Sequence, residues 1–187
     1  MSEVTAVPLR PVKRGARAKL WFGVVAAVLV AGVAAWAGTS RSIATAGTNE
    51  QFLAWHAKQA GVVTTASGLQ YQVLKPGEGP RPTDSDVTLI KYVGSLRDGT
   101  VFDRNDRVPL PVNGVVPGFS EGLKLMSKGG HYRLWIPPEL GYGSETSGPI
   151  PGGSVLVFDV ELLDVKSIAE IQAYQQMQGM GGAPDGR

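Results

Sequence analysis

Lys91-Tyr92-Val93-Gly94-Ser95-Leu96-Arg97-Asp98-Gly99-Thr100-Val101-Phe102-Asp103 is the stretch whose reading decides the fold. Two strand-like runs, one ending at Tyr92 and the other carrying Val101, Phe102 and Asp103, flank Asp98-Gly99, a dipeptide suited to the positive φ angles of a tight hairpin turn. Such a hairpin brings Tyr92, Phe102 and Asp103 together. An aromatic wall, a phenol and a carboxylate at a sheet edge can line a pocket, and the function is expected there.

Outward from the hairpin, the chain continues to read as short strands around one helix. Leu69, Tyr71 and Val73 alternate with Gln70 and Gln72 as in a half-buried strand, and a second strand is expected from Val87 to Val93. Val108-Pro109-Leu110-Pro111-Val112 also alternates, but its prolines cannot donate to a ladder, which restricts it to an edge or an irregular segment. Pro117 suits the first turn of a helix on which Phe119, Leu123 and Met126 make one apolar stripe ending near Gly129-Gly130. His131 to Ile136 and Ser154 to Val165 are further strands, the latter with Leu156, Phe158, Val160 and Leu162 on one face. Many strands with one central helix predict an α+β fold, an antiparallel sheet packed against that helix. The loop from Pro137 through Tyr142 to Gly153 is long enough to carry function.

The flanks read differently. Residues 1–19 hold Arg10, Lys13, Arg14, Arg17 and Lys19 against the lone Glu3, and residues 20–40 carry no charge, with Trp21 and Trp36 at interfacial positions. That pattern predicts a membrane-spanning or signal helix, with the basic N-terminus cytoplasmic and the remainder exported. Read as a retained anchor, it places the protein in the inner membrane; Ala35-Trp36-Ala37 alternatively fits cleavage of a signal peptide and release to the periplasm. Residues 41–63 form a linker and a short helix, which Thr48-Asn49-Glu50-Gln51 opens with a capping-box pattern and Gly61 closes. Ser167-Ile168-Ala169-Glu170 opens a last short helix, with a disordered tail from Gly179.

Composition narrows the chemistry. With no cysteine in 187 residues, disulfides, thiol nucleophiles and thiolate metal sites are excluded, and His56 and His131, far apart in sequence, make a zinc site improbable. No metal and no cofactor are expected. Residues 42–187 hold 12 basic and 15 acidic side chains, a net charge of −3 with no basic footprint for nucleic acid. Gly118-Phe119-Ser120-Glu121-Gly122 matches a nucleophile elbow, but it does not follow a parallel strand, and the only downstream histidine, His131, is eleven positions on. Gly141-x-Gly143 has Thr146 where a dinucleotide fingerprint needs glycine.

The order Ser67-Gly68-Leu69-Gln70-Tyr71, Lys91-Tyr92-Val93-Gly94, Asp98-Gly99-Thr100-Val101-Phe102-Asp103, Val115-Val116-Pro117-Gly118-Phe119, Gly141-Tyr142-Gly143 and Leu156-Val157-Phe158-Asp159-Val160-Glu161-Leu162 resembles the FKBP-type peptidyl-prolyl cis-trans isomerases. It is most similar to the exported bacterial branch that includes the macrophage infectivity potentiator. The resemblance covers residues 64–166, leaving 167–187 as C-terminal helix and tail. It implies a bent antiparallel β-sheet wrapped around the short Phe119 helix, with the pocket between them. Tyr92, Phe102, Asp103 and Tyr142 fall on its catalytic positions, and Val115, Val116, Phe119, Ile150 and Phe158 on its substrate-binding positions. The implied roles are a floor from Phe119, walls from Tyr92, Phe102 and Phe158, and hydrogen bonds from the Val116 N–H and the Tyr142 hydroxyl. Asp103 is implied to lie beside the rotating carbonyl.

The resemblance implies isomerisation of X-Pro bonds in folding polypeptides outside the cytoplasm, and a pocket for macrolides of the tacrolimus or rapamycin type. The alternative is a chaperone or binding module that holds proline-containing clients in the same pocket with little turnover. Phe119 stands where the family often has tryptophan, residues 104–114 look shortened, with Val108 or Leu110 in place of an aromatic wall, and the region before Thr64 is short for a helical dimerisation domain.

Overall fold

The computed structural model describes residues 47–180. The basic N-terminus, the apolar segment 20–40 and the tail beyond Met180 lie outside the described residues, and among the described residues no helix is long and apolar enough to cross a membrane. In chain order the elements are α1 (Asn49–His56), β1 (Val62–Thr64), β2 (Gln70–Lys75), β3 (Asp86–Leu96), β4 (Val101–Pro111), α2 (Pro117–Leu125), β5 (His131–Ile136), β6 (Leu156–Ser167) and α3 (Ile168–Met180), with 3-10 turns at Val112–Gly114 and Pro138–Leu140. All six strands join one antiparallel sheet in the order β1-β2-β5-β6-β3-β4. This is the α+β architecture expected.

The sheet's inner face holds α2. Pro117 occupies the first turn of that helix, where its missing N–H costs nothing, and Phe119 and Leu123 point into the core with Met126 just past the helix end. Opposite them, β6 contributes Leu156, Phe158, Val160 and Leu162, all buried, and β5 contributes Leu134 and Ile136. Full burial of such side chains stabilises the fold by about 1.5–3 kcal/mol each relative to exposure. The proline-bearing strand β4 lies at the sheet edge, where Pro109 and Pro111 break no central ladder.

Register irregularities bend the strands. Three interrupt β3, between Leu89 and Ile90 against β6, and between Ile90 and Tyr92 and between Gly94 and Ser95 against β4. The β3–β4 turn differs from expectation. Only Gly99 has positive φ, +88°, and its N–H donates to the Leu96 carbonyl at 3.0 Å. Asp98 stays at negative φ, and its Oδ1 accepts from the Thr100 N–H at 2.9 Å, so the loop is a turn of Leu96–Gly99 that ends on a left-handed glycine rather than one with two left-handed residues.

The outer face departs most from the sequence reading. Thr48 and Gln51 form the reciprocal capping box, but α1 ends at His56, well before Gly61. β1, which no alternation signalled, is a three-residue edge strand. Gln70 is buried, facing not solvent but a second apolar cluster of Phe52, Trp135 and Val155. Its Nε2 donates to the Leu53 carbonyl at 2.8 Å, so its Oε1, 2.8 Å from His56 Nδ1, is the acceptor and His56 carries its proton on Nδ1. The imidazole packs 4.0 Å from the Trp135 ring and 5.3 Å from that of Phe52, so this histidine is a packed residue. At the other end of the chain, Ser167 and Glu170 cap α3 reciprocally, and that helix runs through Gly179 to Met180.

Burial pushes the His56 imidazole below its ordinary value of 6.5, with the Gln70 bond partly offsetting it. Because the folded state resists the proton that the unfolded chain accepts, this residue's contribution is complete above 6.5 and declines as the pH falls through the depressed folded value. Between pH 7.5 and about 5, thermal denaturation of the parent is expected to show a steeper fall in Tm than His56→Gln, which cannot take up a proton. Parallel slopes in the two proteins would contradict the assignment.

Candidate active site

Between the inner face of the sheet and α2 opens a cavity of about 580 Å3 lined by Tyr92, Phe102, Asp103, Val115, Val116, Phe119, Tyr142, Ile150 and Phe158, the nine positions singled out in the sequence. Leu110, Gly114, Ser147, Gly148 and Pro149 complete the lining. Of Val108 and Leu110, the two residues read as standing in place of an aromatic wall, Leu110 is the one in the lining. Ser147–Pro149 sit in the loop marked by its length alone, and nothing local distinguishes them.

Three elements build the walls. β3 and β4 present Tyr92, Phe102 and Asp103. Strand periodicity would send consecutive residues 102 and 103 to opposite faces, but Gly94 pairs with Asp103 and Ser95 with Val101, leaving Phe102 as an extra residue that lets both neighbours line the cavity. Gly94 makes room for the rings: a Cβ there would come within 2.6 Å of the Phe102 ring and 2.8 Å of the Phe158 ring. Phe158, from β6, meets Phe119 edge-on at 4.7 Å, Phe102 edge-on at 5.5 Å and Tyr92 tilted at 6.1 Å. These geometries set positive ring edges against negative faces. Phe119 itself is buried, 4% exposed, at the first turn of α2.

Polar groups are few and fixed. Tyr92 Oη donates to Asp103 Oδ2 at 2.5 Å, and the Arg104 N–H donates to Asp103 Oδ1 at 2.8 Å, so both carboxylate oxygens are held. Burial pushes the Tyr92 phenol up to about 12, assisted by the hydrogen bond to Asp103 and by the charge of that carboxylate. The phenol therefore keeps its proton and donates throughout the physiological range. Tyr142 stands at the mouth, 44% exposed. The Val116 N–H donates to no acceptor among the described residues, while its carbonyl accepts from Phe119 and Ser120 at the helix start. This set can seat an apolar ring and direct hydrogen bonds at a neighbouring amide.

The other chemistries do not assemble. Ser120 lies inside α2 and buried, whereas His131 pairs with Asp159 across β5 and β6, where Arg133 also bonds the same carboxylate. Among the described residues no group of His, Asp and Glu is arranged to hold a metal ion.

Comparison with known proteins gives the same answer. A family profile described as FKBP-type peptidyl-prolyl cis-trans isomerase matches residues 79–163, and one described as the domain amino terminal to it matches residues 34–73. The crystal structure of FkpA from Escherichia coli superposes with a TM-score of 0.62 at 38% identity, over 82% of this chain and 71% of that one. The chain belongs to the FKBP-type peptidyl-prolyl cis-trans isomerases. Among curated FKBP-type relatives, FkpA of Aeromonas hydrophila is 45% identical over 124 residues, covering 64% of this chain and 46% of that protein. The outer membrane protein MIP of Legionella longbeachae is 37% identical over 125 residues, covering 64% of this chain and 54% of its own length. The chain thus spans about half the length of these relatives. The amino-terminal match reaches through α1 and β1 into β2, and so takes in the linker and short helix of 41–63 that the sequence reading set before the resemblance.

Gly94→Ala is expected to displace Phe102 or Phe158 and to destabilise the protein by about 1–3 kcal/mol, the usual cost of overpacking a well-filled site. Denaturant unfolding measures this directly, and an unchanged midpoint would mean that the rings yield freely.

Proposed function

We propose that the protein catalyses cis-trans isomerisation of X-Pro peptide bonds, with Phe119 as the floor for the proline ring. The observation that carries this reading is the contiguous aromatic lining of Tyr92, Phe102, Phe119 and Phe158 in a cavity whose one carboxylate, Asp103, is fixed at both oxygens. Rotation about the bond must overcome roughly 18–20 kcal/mol of amide resonance, and each 1.4 kcal/mol removed gains about tenfold in rate. No bond is broken. The twisted amide is less dipolar than the planar one, so a water-poor aromatic pocket disfavours the planar ground state relative to the transition state. The Val116 N–H and Tyr142 hydroxyl hold the peptide on either side of that bond. Asp103 acts as a fixed electrostatic contact to the turning carbonyl carbon, kept in place by Tyr92 and the Arg104 amide.

Residues 64–166 constitute the isomerase domain in this reading, and proline-containing folding polypeptides are its substrates. Macrolides of the tacrolimus or rapamycin type would occupy the same cavity, more weakly over Phe119 than over a tryptophan floor. The basic N-terminus and uncharged 20–40 segment support an inner-membrane anchor with the domain outside the cytoplasm, and the relative named an outer membrane protein supports an extracytoplasmic setting. A mature N-terminus at Gly38 would replace the anchor with a cleaved signal.

A protease-coupled assay on a short X-Pro peptide tests the reading. The parent should accelerate isomerisation. Asp103→Ala should lose about 10- to 100-fold in kcat/KM, the value of a charged contact, and Tyr142→Phe about two- to tenfold, the value of one neutral hydrogen bond. Absence of acceleration by the folded parent would overturn it.

A further inference from the structure

We propose that Asn49, in the outer-face helix α1, is a positioning residue for the substrate pocket, holding the loop that carries Ser147, Pro149 and Ile150; this rests on the isomerase reading above. Asn49 Nδ2 donates to the carbonyl of Gly153 at 2.6 Å, across 104 residues of sequence. Gly153 is the base of that loop: its N–H donates to the Gly143 carbonyl at 2.8 Å, directly after Tyr142. Within the loop, Ser147 and Ile150 exchange backbone hydrogen bonds of 3.0 Å in both directions, and both line the cavity with Gly148 and Pro149 between them. One side chain thus fixes the root of a closed loop whose tip forms one side of the pocket.

The same amide also bonds the turn between the two strands of the other wall. Its Oδ1 accepts from Arg97 Nη1 at 3.1 Å, and that nitrogen also donates to the Gly47 carbonyl at 3.0 Å. Arg97 lies in the turn joining β3 to β4, the two strands that carry Tyr92, Phe102 and Asp103, and its guanidinium sits 4.3 Å over the Phe52 ring of α1. A carbonyl can only accept and a guanidinium can only donate, so the orientation of the Asn49 amide is fixed by its partners. A side chain with one donor and one acceptor at this length meets both demands. The N-terminal helix is therefore joined by one residue to the supports of both halves of the pocket.

Asn49→Asp separates the two contacts. Aspartate keeps the acceptor for Arg97 and is favourable in the first turn of a helix, but it cannot donate to Gly153 and sets a carboxylate oxygen against that carbonyl. The freed loop must then be ordered by each substrate, a cost borne equally by bound ground state and transition state, which raises KM and leaves kcat in place. A variant that was merely less folded would instead lose active molecules, lowering the apparent kcat at unchanged KM.

The test measures initial isomerisation rates of the full-length parent, Asn49→Asp and Asn49→Ala over a range of concentrations of a short X-Pro peptide, with amide hydrogen exchange of residues 143–153 on the same samples. The expected result is a KM about two- to tenfold higher in both variants, the factor that one lost hydrogen bond represents, with kcat within about twofold of the parent and faster exchange in the loop. An active parent whose variants keep its KM overturns the positioning role alone. A fall in kcat at unchanged KM does the same. A folded parent without isomerase activity overturns the isomerase reading and this inference with it.

Discussion

The structure depends on the edge-to-face contact of Phe158 with Phe119, 4.7 Å between ring centroids. It joins the central sheet strand to α2 on the inner face, and through Phe102 and Tyr92 it extends to the edge hairpin. A contact of this kind adds about 0.5–1.5 kcal/mol beyond the area it buries. Its larger effect is geometric, because these four rings line a cavity at the margin of the core. Phe119 and Phe158 thus serve twice, packing helix against sheet in the core and lining the pocket.

Against this apolar lining, the carboxylate of Asp103 has its position determined more than its charge compensated. Tyr92 and the Arg104 amide take one oxygen each, and the raised phenol value keeps Tyr92 a donor across the working range. A group so held does not reorganise as an adjacent amide twists, which is the condition under which a fixed charge lowers a barrier. In the isomerase reading the pocket needs no nucleophile. The outer face contributes differently: Asn49 bonds both Arg97 and Gly153, which ties the N-terminal helix to the β3–β4 turn and to the base of the 143–153 loop.

Much of the inner face was legible because burial there follows strand and helix periods. Leu156, Phe158, Val160 and Leu162 alternate, Phe119 and Leu123 fall one helical turn apart, and the prolines of β4 restrict it to an edge. Simple periodicity failed where a bulge, a polar partner or a long loop took over. Phe102 and Asp103 share a face because of an extra residue that no alternation announces. Gln70 is buried because His56 and Leu53, from a distant helix, satisfy its amide. Ser147, Gly148 and Pro149 line the cavity through a loop whose path is set by backbone hydrogen bonds. β1 has three residues, too few to establish a pattern. Position-by-position likeness to a known family supplied the pocket residues that periodicity could not.

The central claim, that this one aromatic cavity both binds proline and turns the amide, is tested most directly by NMR of an X-Pro peptide with a substoichiometric amount of protein. The account predicts exchange between the cis and trans peptide resonances on a timescale far shorter than the uncatalysed tens of seconds or more, with protein shift changes centred on Tyr92, Asp103, Phe119, Tyr142 and Phe158. Binding that maps to the outer face around Trp135 and Val157, or peptide shifts without accelerated exchange, would contradict it.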